Sequence, residues 1–253
     1  MRLLKKFLYG FAYVVFFAAI GVGVYYLRSF DPAPSCFDNV LNQSETKVDC
    51  GPALPGETSL NGCVPCELKN LKAGVGTPNV FSLSGSISSV VAEISNPSRN
   101  YGASSIKYVF ELTGRSGIRL RATGETVLYP AERKYLFVSG IDIDQRDVET
   151  ATLTLGDAQW ILKDALPPRL GLVVADVKLI DMKGVLTIEG AINNDSPARA
   201  ALVTVIGLGF DASGKLIKAS STEVEDIGPF SKTPLKIFMP AENYARVQAQ
   251  IAR

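Results

Sequence analysis

The chain contains no histidine. That absence removes Ser-His-Asp and Cys-His nucleophilic machinery, His-ligated zinc, and the usual general base near neutral pH. Charge of one sign is also lacking: 26 Lys and Arg against 25 Asp and Glu leave a formal +1. Without a basic patch interleaved with aromatics, nothing supports nucleic-acid binding. A single tryptophan, Trp160, leaves one candidate for a large aromatic platform, and packing at a sandwich edge or between domains is its plainer role. Carboxylate or lysine chemistry survives these exclusions, but no constellation for it stands out, so the chain reads as non-catalytic and free of cofactors.

What is present begins with one uncharged apolar run, Phe7–Leu27, behind Arg2, Lys5 and Lys6. As a helix it would reach roughly 31 Å at 1.5 Å per residue, enough for a hydrocarbon core. Tyr9, Tyr25 and Tyr26 sit near its ends, where interfacial rings settle. The positive-inside rule predicts a cytoplasmic tail over 1–6, a transmembrane helix over 7–27, and everything beyond outside the cytoplasm. A cleaved signal would carry a shorter apolar region and a small-residue cleavage site, whereas this run ends in Tyr25-Tyr26-Leu27-Arg28. A pilin-type leader would carry glutamate where this chain has Val15.

All four cysteines, Cys36, Cys50, Cys63 and Cys66, fall in the segment 28–68, which is rich in Pro, Gly, Asn and Ser. An even count outside the cytoplasm points to disulfides, and four cysteines allow three pairings. Cys63 and Cys66 could close on each other, but bridges back to Cys36 and Cys50 would order more chain. Zinc would want two close thiolate pairs and only one is present. A redox C-x-x-C would open a helix of a thioredoxin-like unit, and none follows. Asp38, Asn42, Glu45 and Asp49 are oxygen donors that could hold calcium, though capping of turns is the plainer reading.

The stretch Cys36–Gly51 resembles a short cysteine module of surface and secreted proteins, whose usual form is C-x-D-x-x-x-N-x-x-E-T-x-V-D-C-G-G-x-C-x-x-C. The match runs over 16 residues. It departs at Pro52, and Ala53 to Gly62 push Cys63 further away than the module has it. The resemblance implies structural disulfides.

After a linker over 69–78 the pattern turns to short alternating strands rich in β-branched and aromatic residues, the mark of an antiparallel all-β domain. Strands are expected at Ser89–Ser95, Lys107–Leu112, Ile118–Thr123, Glu125–Leu128, Lys134–Val138 and Glu149–Leu155. Tyr108, Phe110, Tyr135 and Phe137 alternate as core residues should. Asp142, Asp144 and Asp147 form an acidic loop, read as a solvated turn in preference to a calcium site. The order then repeats: Val185–Ile192 runs into Asn193-Asn194-Asp195-Ser196-Pro197 as the first strand runs into Asn96-Pro97. Leu202–Phe210 leads to Gly214 as Lys107–Leu112 leads to Gly117. Asn193 and Asn96, like Gly214 and Gly117, differ by 97, which predicts tandem β-sandwiches over 79–158 and 170–253. A hinge over 159–169 carries Pro167-Pro168, and its stiffness predicts a rod-like pair.

The stretch Gly209–Ile217 resembles the tyrosine-Asp-x-x-Gly-lysine hairpin of FxLYD-type domains, which are small immunoglobulin-like or fibronectin-like sandwiches of bacterial envelope proteins. Phe230–Phe238 is similar to their later strand, and Phe110–Gly117 is a weaker version of the hairpin without the Asp. The likeness covers 78–253 and concerns fold, which does not name a function. The expectation is a non-catalytic single-pass cell-membrane protein presenting two sandwiches to an envelope or surface protein, as a scaffold or accessory subunit or as a surface adhesion module. The alternatives are a calcium- or glycan-sensing module and a carboxylate-dependent glycan hydrolase.

Overall fold

The computed structural model describes residues 2–29, 36, 38–41, 45–51, 63–169, 171–182 and 184–252. They divide into two compact units, Met1–Lys69 and Asn70–Arg253. The first opens with α1, Arg2–Ser29. Its stretch Leu4–Tyr26 is long and apolar enough to cross a membrane, and none of it is buried by the protein. The unit's other described residues are irregular chain held by two disulfides and ended by α2, Cys66–Lys69.

The second unit contains two sandwiches. In the first, β1 (Gly74–Val75) and β2 (Asn79–Ser84) lie along one edge of β3 (Ile87–Ser95), and β6 (Arg133–Asp142) lies along the other. The facing sheet centres on β4 (Tyr101–Gly114), flanked by β5 (Arg119–Leu128) on one side and by β7 (Val148–Leu155) and β8 (Trp160–Leu162) on the other. The second sandwich repeats the plan: β9 (Leu172–Met182), β10 (Val185–Asn194) and β13 (Ser231–Met239) form one sheet. The other is β12 (Leu216–Ile227), β11 (Ala200–Phe210) and β14 (Arg246–Ile251). All pairings between strands are antiparallel.

Several sequence expectations change here. The linker 69–78 is not free chain, because β1 pairs with β3 and Ala73 packs on the first core. The hinge 159–169 likewise contributes β8, whose Trp160 packs against that core, so the tryptophan is a sandwich-edge residue. Its downstream part is fastened too: the Tyr129 hydroxyl donates to the Pro167 carbonyl at 3.0 Å, and the Arg169 guanidinium lies 4.4 Å from the Tyr129 ring centre. The two strands expected over 118–128 are one. Gly124, which lies between the two expected strands, sits where a Cβ would lie 2.3 Å from the Tyr108 ring, so the glycine seats that ring without ending the strand.

The sandwiches do not form a rod. Alternation along β3 sends Val90, Ala92 and Ile94 into the first core, and sends Val91 to the opposite face. Along β11, Val203 and Val205 enter the second core while Ile206, Leu208 and Phe210 face away from it. Those outward residues, with Phe81, Val91, Leu216 and Ala219, form a third buried cluster against Tyr135 and Phe137. The sheets therefore stack four deep with three apolar layers. Tyr135 and Phe137 belong to the middle layer and not to the first core, which on the same strand takes Leu136 and Val138. Gln250 on β14 closes the junction like a strand residue: its Oε1 accepts the Tyr135 N–H at 3.0 Å and its Nε2 donates to the Tyr135 carbonyl at 3.1 Å.

One buried position on β10 is poorly matched. The Thr187 hydroxyl on β10 is fully buried and has no hydrogen-bond partner among the described residues. Thr187→Val keeps the shape and removes an unpaired polar group, so it should stabilise the protein by about 1 kcal/mol. Chemical denaturation should show a higher midpoint at unchanged slope; a lower midpoint would mean that the hydroxyl is satisfied in solution.

Candidate interaction surfaces

In the neck, the bridges are Cys36–Cys63 and Cys50–Cys66, with Cα atoms 5.2 and 4.9 Å apart. They are the long-range pairing, not closure of Cys63 on Cys66. The Thr46 hydroxyl donates to the Gly51 carbonyl at 3.0 Å, and the Gly51 N–H donates to the Val64 carbonyl at 2.9 Å, drawing the two arms together. Asp49 is buried with positive φ. Its Oδ1 accepts the Asn39 N–H at 2.9 Å, and its Oδ2 lies 3.6 Å from the Lys69 ammonium. The Asp38 carboxylate accepts the Val40 N–H at 2.9 Å. Both aspartates thus do turn work. Asn42, the third candidate calcium ligand, and the insertion 53–62 lie outside the described residues. Glu45 approaches the sulfurs of Cys36 and Cys63, but those atoms are bonded to each other and are not thiolate ligands.

The acidic loop behaves the same way. The Asp144 Oδ1 caps a short 3-10 turn, Gln145–Asp147, by accepting the Arg146 N–H at 2.9 Å, and the Asp142 Oδ1 accepts the Ser86 hydroxyl at 3.3 Å.

The hairpin at Asp211 shows why its motif has that spacing. The Asp211 Oδ1 accepts the Ser213 N–H and hydroxyl and the Lys215 N–H, while Gly214 supplies the left-handed residue at φ 83°. The Ser213 hydroxyl first, then the Lys215 N–H, holds this carboxyl below the ordinary carboxylate value. A folded-state pKa below the unfolded one gives stability that is present above the unfolded value and lost as pH falls through the folded one. The melting-temperature gap between wild type and Asp211→Ala should therefore be flat above about pH 5 and close below about pH 4. A gap unchanged at acid pH would deny the carboxylate that role.

The junction between the sandwiches leaves a cleft of about 650 Å³ lined by Glu93, Arg133, Tyr135, Phe210, Arg246 and Gln250, among others. Its charges are partly committed: Arg133 pairs with Glu93 at 2.5 Å, and the Arg246 guanidinium lies 4.6 Å from the Phe210 ring centre. Burial, then the neighbouring Glu93, raises the Tyr135 phenol above its ordinary value. Among carboxyl groups whose affinity for protons clearly departs from the ordinary, Asp176, Asp211 and Asp226 are all pushed down, each first by a hydrogen bond from a neighbour.

A pair of buried asparagines marks the repeat. Asn96 donates through Nδ2 to the carbonyls of Tyr101 (2.8 Å) and Tyr129 (3.0 Å), while its Oδ1 accepts the Ser98 N–H. Asn194 donates to the carbonyls of Ala198 and Gly228, both at 2.7 Å, and accepts the Ser196 N–H. The counterpart of Asn96 is therefore Asn194, one residue beyond the Asn193 that a constant offset predicts. Sequence reasoning noticed the Asn-Pro and Asn-Asn-Asp-Ser-Pro turns and missed that one amide ties three segments together.

No family model and no characterised protein matches the sequence. Among solved structures, red sea bream transglutaminase aligns over 72% of this chain and 28% of its own, at 16% identity and a TM-score of 0.24. The chain thus spans well under half of that protein. The tandem CBM22-1–CBM22-2 domain of Paenibacillus barcinonensis Xyn10C aligns over 72% of this chain and 84% of its own, at 11% identity and a TM-score of 0.13.

Proposed function

We propose that this is a non-catalytic, single-pass membrane protein of the cell envelope, with its N-terminus in the cytoplasm, that presents two β-sandwiches to a protein partner. The observation that carries the reading is the order of parts: an uncovered apolar helix behind basic residues, a neck stapled by two disulfides, then two sandwiches joined by a shared apolar layer. Disulfides belong to an oxidising compartment, which fits a neck outside the cytoplasm. Two sandwiches locked by a shared apolar layer suit presenting a partner-binding surface of fixed shape.

In-cell crosslinking of a C-terminally tagged chain, with mass spectrometry of what is captured, tests this. One recurring envelope protein in near-equal amount is the expected result; recovery of the chain alone would overturn it. The junction cleft is the one observation favouring a ligand-sensing role. In that case calcium or envelope oligosaccharides should raise the melting temperature of the intact protein.

A further inference from the structure

The two sandwiches share a plan but differ at one edge. In the first, β4 is paired along the same side twice, by β7 over Tyr108–Gly114 and by β8 over Tyr101–Ala103. In the second, β11 is paired on that side by β14 over Val205–Phe210. The correspondence is anchored by hydrogen bonds. The Gly156 N–H donates to the Lys107 carbonyl just after β7, and the Ala252 N–H donates to the Thr204 carbonyl just after β14, both at 2.8 Å. Upstream, Ala198 takes the place of Tyr101 as acceptor of the buried asparagine amide. The stretch from Ala198 to Leu202 therefore stands where β8 is seated in the first sandwich. Among the described residues no strand pairs with it there.

What lies there instead is a groove of about 390 Å³, lined by Leu172, Asn194, Ala198, Ala200, Leu202 and Val203 among others. Leu202 is 54% exposed. Since the Thr204 carbonyl points toward β14, strand alternation turns the N–H and C=O groups of Leu202 and Ala200 to the same, open side. An unpaired edge of this kind is a template for another strand. Among the described residues, the one charged residue in the lining, Arg199, is engaged by Asp226 on β12. The groove is otherwise apolar or neutral and continues the β11–β14 ladder without a break.

We infer that this edge of β11 accepts an extended, uncharged segment of a partner protein, antiparallel to β11, with a large aromatic or aliphatic side chain opposite Ala200. In the first sandwich Trp160 stands opposite Ala103 and closes the core at that point, so β8 supplies the pattern for the guest. The inference rests on the protein-interaction reading above and names the surface and the chemistry of what binds.

The probe is a fluorescent synthetic peptide with this chain's own uncharged residues 158–162, added to the full-length protein in nanodiscs and followed by anisotropy. Saturable binding is expected. Leu202→Pro removes one backbone donor on the open side, where an edge strand tolerates proline, and should weaken binding about tenfold. A peptide carrying W160D should lose binding to the wild-type protein, which keeps the test valid if the proline variant folds poorly. Absence of saturable binding up to about 1 mM, or equal binding of the W160D peptide, overturns the inference. A partner crosslinked in cells as well by Leu202→Pro as by wild type would also overturn it, yet leave the interaction role standing. Failure to capture any partner would sink the interaction role itself, whatever the peptide does.

Discussion

Asn194→Ala is expected to lower stability by about 3 kcal/mol, more than any exposed substitution on the chain. The side chain is 1% exposed, and its amide satisfies the carbonyls of Ala198 and Gly228 at 2.7 Å while its oxygen takes the Ser196 N–H. Alanine leaves two acceptors and a donor with no replacement, each at a cost of about 1–3 kcal/mol if no water enters. Asn194→Asp distinguishes the donor from the acceptor function. It keeps an oxygen for Ser196 but sets a carboxylate against two carbonyls, so it should be at least as damaging as alanine. Urea denaturation of the full chain in detergent measures both; a loss for alanine below about 1 kcal/mol would mean water replaces the amide. Asn96→Ala tests the repeat and should behave alike, since Asn96 makes the same three kinds of bond.

How much of this was legible in the residues depends on whether a feature is local. The apolar helix, the β class and the strand order followed from hydrophobic runs, alternation and turn residues, each visible within a dozen positions. The hairpin after β11 was legible because Asp211 and Gly214 act on their immediate neighbours. The asparagine ties were half legible. Two turns with asparagine could be matched, but which of Asn193 and Asn194 turns inward depends on strand pairing, and a shift of one residue reverses every side chain. The disulfide pairing was open because three connectivities are compatible with four cysteines at any spacing.

The stacking of the two sandwiches was the largest omission, though a trace of it was present. The run Leu202–Phe210 has no charged residue on either face, as a strand buried on both sides would read. Its glycines carry the same message: a Cβ on Gly207 would meet Ile188 and Ile237 at 3.0 and 3.1 Å, and one on Gly209 would meet the Tyr244 ring at 2.3 Å. Ile206, Leu208 and Phe210 put their bulk on the other face, where a lone sandwich would have needed polar groups. Pro167-Pro168 pulled the reading toward a rod because stiffness alone says nothing about direction.

The second large effect follows from that layer. Phe210→Ala should cost about 3–5 kcal/mol by the cavity it leaves, and the loss should fall on the junction between the sandwiches. Phe210 is 2% exposed, its ring centre lies 6.2 Å from that of Tyr135, and the Arg246 guanidinium rests over it. Its side chain belongs to the middle layer and to neither sandwich core. The wild type should unfold in one calorimetric transition, because the middle layer makes each sandwich depend on the other. In Phe210→Ala that coupling is weakened, and the transition should broaden or split, with the junction amides around Tyr135 and Gln250 exchanging first. A core truncation of similar size, such as Ile188→Ala in the second core, removes comparable bulk without touching the middle layer and should lower the transition without splitting it. If both variants give one shifted, equally sharp transition, the middle layer contributes bulk stability but does not couple the sandwiches, and the case for a rigid presenting body fails with it.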